Sequence, residues 1–170
     1  RVSFDLKDRA VLIPVEAKTA LPFVAGASAA AYAAGEPVGA AGIAAASLAG
    51  FVAFPLLLPW LPGEDFSAKG LLLGSIAGLG AAAAGLARDD GTSLPSRAVK
   101  AASYALALPP ITAFLGLNFT GCTTFTSPSG VRREINRYVR PMAGMAGAGL
   151  LLNLAQRVVL GLKGGRDGQE

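Results

Sequence analysis

The side chains best placed to do chemistry crowd into residues 117–141, LNFTGCTTFTSPSGVRREINRYVRP, between two apolar runs. Asn118, Thr120, Thr123, Ser127 and Ser129, followed by Arg132 and Arg133, set hydrogen-bond donors beside fixed positive charge. That combination suits holding an anion or meeting the polar face of another domain. Ser127-Pro128 is a helix start, with a hydroxyl for the cap and proline at the first position. Val131, Ile135, Tyr138 and Val139 then share an apolar face opposite Arg132, Arg133, Asn136, Arg137 and Arg140. Residues 128–140 are therefore expected to form a basic amphipathic helix, which either lies in the headgroup layer or docks an acidic partner.

Cys122 is the single cysteine, and there is no histidine. Disulfide frameworks, zinc sites and histidine acid/base catalysis within the chain are excluded. A thiolate at Cys122 is a candidate ligand for a soft metal such as Hg(II), although the nearest basic residue that could activate it is Arg132. Pro109-Pro110 falls in the middle of an apolar run, where two missing backbone donors force a helix break. Broken helices line some transport pathways, but no carboxylate, histidine or lysine accompanies this one, and a packed kink is the simpler reading. Asn153, Gln156 and Arg157 share a helical side, with the amides placed to bridge helices and the arginine to reach the interface.

The elements that must hold these groups are membrane helices. Of 170 residues 52% are apolar and 15% charged, and mean hydropathy is +0.50. Soluble domains average about 25% charged residues. Residues 37–61, 70–87, 101–131, 141–156 and the shorter 19–35 contain no charge. Roughly 18–20 apolar residues cross a bilayer. The expected fold is all-α: five transmembrane helices at about 18–34, 37–60, 67–87, 97–119 and 141–162. Residues 1–16 alternate like a strand and read as the tail of an upstream soluble domain, residues 17–162 as the five-helix domain, and 163–170 as a disordered polar tail. Small residues recur at fourth positions, at Gly42, Ala46 and Gly50, at Gly74 and Gly78, and at Ala143 and Gly147. These suit close packing within the bundle, with a homo-oligomer contact as the alternative.

The net charge of +4 and pI near 9.6 do not signal nucleic-acid binding, because the basic residues sit at helix ends, where anionic lipids attract them. Nine Lys and Arg fall on the side of the N-terminus and six on the other, which favours a cytoplasmic N-terminus in the cell's inner membrane.

Residues 117–131, with Pro59-Trp60-Leu61-Pro62-Gly63, Phe66-Ser67-Ala68-Lys69-Gly70 and residues 11–16, resemble the membrane half of the mercury-methylation corrinoid proteins. The resemblance covers nearly the whole chain. It implies a five-helix membrane domain joined to an upstream corrinoid (cobalamin) domain related to the corrinoid iron-sulfur protein of the acetyl-CoA pathway. The implied activity is methyl transfer from cobalt to inorganic Hg(II), with a ferredoxin-like partner whose iron-sulfur clusters reduce the cobalt. The family's Asn-Val/Ile-Trp-Cys-Ala-Ala/Gly-Gly-Lys motif is absent: Trp60 precedes Leu61, and Cys122 lies in Thr-Gly-Cys-Thr. No corrinoid ligand carries over, and this chain alone is not expected to catalyse. A small metal or solute transporter and a passive structural anchor are the alternatives.

Overall fold

The computed structural model of the chain describes residues 6–122 and 128–167. Among these there are helices and turns and no strand. We number the helices α1 (Leu6–Ala33), α2 (Pro37–Leu57), α3 (Phe66–Ala87), α4 (Leu94–Asn118) and α5 (Pro128–Asp167). Each contains a stretch long and apolar enough to cross a membrane. The protein is an all-α, multi-pass membrane bundle.

α4 is the central helix. Its two halves, Leu94–Ala107 and Pro109–Asn118, are separated by Leu108, immediately before the proline pair. The step in α4 is packed rather than open. A Cβ on Gly74 of α3 would stand 2.7 Å from the Pro109 carbonyl oxygen, and one on Gly70 2.5 Å from the Ala113 Cα, so glycine lets the two backbones touch. The Thr112 hydroxyl donates to the Ala46 carbonyl at 2.6 Å and ties the same region to α2. Gly149 does for α5 what Gly70 does for α3, its missing Cβ making room for the Ser103 carbonyl and the Ala107 amide. Gly147, singled out by its spacing, faces open space.

α2 accommodates Pro55 through a π turn at Ala49–Ala53, in which the Phe54 amide reaches back to the Ala49 carbonyl. Widening the helix by one residue relieves the clash and missing donor that proline imposes. α2 ends at Leu57, before the expected Trp60, whose ring stands exposed beyond the helix as an interfacial anchor would.

Three expectations are corrected. Residues 6–16 are helix, not strand: Arg9, Leu12, Glu16 and Ala20 recur at helical spacing and meet the rest of the bundle, which outweighs the local alternation. The basic helix and the fifth span are one 40-residue helix running through Pro141. Tyr138 and Val139 before the proline and Met142 after it pack on Ala113 and Leu117, so contacts on both sides hold the axis in register. The tail expected to be disordered is helical through Asp167, since extending a formed helix adds a hydrogen bond for each residue fixed.

Candidate functional site

The N-terminal end of α1, the α2–α3 turn, the C-terminal end of α4 and the start of α5 meet at one end of the bundle. Phe54, Phe66 and Phe119 form its apolar base, Phe54 lying 6.0 Å from Phe66 and 5.9 Å from Phe119 between ring centroids, the latter pair nearly parallel. Leu12 of α1 packs against the same cluster. Aromatic pairs at this spacing contribute beyond their buried area.

Polar contacts lock the elements above that base. Buried Arg9 donates to the Leu56 carbonyl at 3.0 Å, and its guanidinium lies 6.0 Å from the Trp60 ring. The Asn118 amide donates to Glu16 Oε1 at 2.9 Å, joining α4 to α1. The α3 N-terminus is held by α5: the Ser67 amide donates to the Glu134 carboxylate, which is buried. A carboxylate there meets unpaired amides and the positive end of the helix dipole. Asp65, at the cap position itself, makes no side-chain cap. Its carboxylate instead accepts from the Tyr138 hydroxyl at 2.9 Å and faces Arg133 at 3.8 Å and Arg137 at 3.9 Å.

Glu16, Asp65 and Glu134 are thus turned to protein partners, while the arginines of α5 face outward. Arg133 and Arg137 remain 71% and 69% exposed despite facing Asp65, and Arg132 and Arg140 are exposed as well. The result is a positive surface on a rigid helix.

The residues singled out by sequence fall into different places. Asn118 is exposed but engaged by Glu16. Thr120 is 3% exposed and donates to the Leu117 carbonyl at 2.7 Å, so its hydroxyl serves the turn and not the surface. Ser129, Arg132 and Arg133 are exposed on the first turns of α5. Cys122 closes a short 3-10 turn, Phe119–Cys122. Thr123 and Ser127 lie outside the described residues. No group of three or more potential metal-ligating His, Cys, Asp or Glu side chains occurs among the described residues. Sequence reasoning missed Asp65, Glu134 and Arg9. The signal for Glu134 was there, as the one acid among the basic residues 128–140.

The opposite end carries a second polar assembly. Glu36, buried in the α1–α2 turn, accepts from the Tyr104 hydroxyl and pairs with Lys100 at 3.2 Å and Arg157 at 3.0 Å. Arg157 also donates to the Ala34 carbonyl at 2.6 Å. Gln156 bridges to Ser96 at 2.8 Å and Asn153 to Ser103 at 3.5 Å, the interhelical role read for these amides. In the α3–α4 loop Asp90 is held below the ordinary carboxylate range, chiefly by the Thr92 hydroxyl at 2.5 Å.

No family model, curated protein or solved structure matches this chain.

Proposed function

We propose that this chain is the membrane domain of a corrinoid-dependent methyltransferase acting on inorganic Hg(II). In this reading it anchors the corrinoid domain at the cytoplasmic face of the inner membrane and offers the exposed part of residues 118–140 to that domain or to its ferredoxin-like partner. The observation that supports the reading is spatial. The described parts of the stretches that carry the family resemblance, residues 11–16, 59–70, 117–122 and 128–131, are far apart in sequence yet gather at one end of the bundle, with Glu16 on Asn118 and Phe66 near Phe119 through Phe54. Alternation of five spans already puts these segments on one side of the membrane, and the contacts of Glu16 with Asn118 and of Phe54 with Phe66 and Phe119 then join them to one another. The basic surface at the same end has the charge expected of a cytoplasmic face.

The corrinoid belongs to the other domain. With no histidine and no Trp-Cys pair, this chain offers no lower ligand of the family's kind to cobalt, and its residues bind and orient without taking part in methyl transfer. Arg132, Arg133 and Arg137 supply electrostatic attraction that speeds encounter and fixes orientation.

The test is Hg(II) methylation by the full-length protein carrying Arg132→Glu and Arg133→Glu. The expected result is a fall of at least about tenfold, equivalent to ~1.4 kcal/mol of lost coupling, with membrane insertion unchanged. Unaltered methylation would leave the bundle a passive anchor.

A further inference from the structure

Between α1 and α5 runs a groove of about 580 Å³, floored by α2 and the second half of α4. That volume is within the roughly 300–1,000 Å³ typical of ligand pockets. Phe23, Val24 and Ala27 form one wall, and Met142, Ala143 and Ala146 the other. α1 and α5 are also the least buried helices, with 6% and 11% of their apolar windows covered, so the groove opens sideways towards hydrocarbon.

Its polarity is one-sided. Glu16, Thr19 and Asn118 lie at the basic end, while Ser47, deeper in, is silenced by donating to the Ile43 carbonyl at 2.7 Å. The Glu16 carboxylate accepts a hydrogen bond from the Asn118 amide. At that end Val139 lines both the groove and a second hollow of about 430 Å³, completed by Ile135, Asn136 and Arg140. An apolar slot therefore adjoins, at Val139, a hollow edged by the exposed Arg140.

We propose that the groove holds an acyl chain of an anionic phospholipid, with the headgroup phosphate at Arg140. A zwitterionic lipid would fill the slot equally well but would gain less from Arg140. This inference does not depend on the methyltransferase reading.

The test is native mass spectrometry of the full chain, equilibrated in mixed micelles with equal amounts of phosphatidylglycerol and phosphatidylcholine of the same acyl composition. The expected result is retention of one phosphatidylglycerol per chain, about fivefold over phosphatidylcholine, as one cation near a headgroup provides. Ala146→Phe should abolish retention of both lipids by filling the slot. Ala143→Phe, at an exposed wall position, repeats that test should the first variant fail to fold. Arg140→Gln should keep lipid binding and erase the preference. Equal retention of the two lipids by the unaltered chain, or undiminished retention by the groove-filling variants, overturns the proposal.

Discussion

The two polar ends of the bundle use similar residues to opposite effect. At the Glu36 end a single buried carboxylate gathers Tyr104 and Lys100 from α4 and Arg157 from α5, so the charges face one another and close the end. At the Asp65 end the carboxylates of Glu16, Asp65 and Glu134 are also turned to protein partners, but the arginines around Asp65 stay largely in solvent. Internal electrostatics are satisfied in both places. Exposed charge remains at both ends, Arg88 at the first and Arg132, Arg133, Arg137 and Arg140 at the second, but only the second gathers four arginines on one helix, and this makes it the end suited to meet something.

The sharpest way to break that contrast is Glu36→Ala. It removes the carboxylate partner of Arg157 and the acceptor of the Tyr104 hydroxyl, leaves Lys100 with Asp90 alone at 3.8 Å, and should destabilise the chain by about 3 kcal/mol, read as a lower midpoint in detergent unfolding. A midpoint within error of the unaltered chain would show that the closed end is not held by its ion pairs. Glu134→Gln keeps the shape of the contact to α3 but weakens its charge, and should cost about 1 kcal/mol in the same measurement. Arg137→Ala should cost less than about 0.5 kcal/mol, because its pairing with Asp65 is solvent-screened. A loss as large as that of Glu36→Ala would erase the distinction between the ends.

The smallest effect is one of pH. Because the folded Asp90 carboxyl titrates below its ordinary value, its contribution is present above that value, near 3.9, and is lost as pH falls through the lower folded value. Asp90→Asn should therefore flatten the acid limb of the stability profile below about pH 4, and an unchanged limb would contradict the assignment.

The five spans were legible because charge-free runs are what a bilayer demands, and Gly35, Gly63 and Gly91, all at positive φ, mark the turns between the first four. The helical start of α1 was not legible. Its charged residues interrupt hydropathy, and only contacts such as Arg9 with Leu56 reveal which face is inside. The continuity of α5 across Pro141 was hidden for a similar reason, since local propensity favours a stop there and tertiary packing overrides it. At the candidate site, the basic face could be read from spacing alone. The role of Glu134 at the α3 terminus and the Glu36 assembly could not, because each depends on residues dozens of positions apart, and the inward use of Thr120 shows only once the turn back to Leu117 is formed.

The claim on which the account turns is that the basic end faces the cytoplasm, where a soluble corrinoid domain would stand. Single cysteines at Arg132 and Arg88, exposed positions at opposite ends, would be introduced into a Cys122→Ser background and challenged in intact cells with a membrane-impermeant maleimide. The account predicts labelling of Arg88→Cys from outside and of Arg132→Cys only after permeabilisation. The reverse pattern would put the basic surface on the wrong side of the membrane and contradict it.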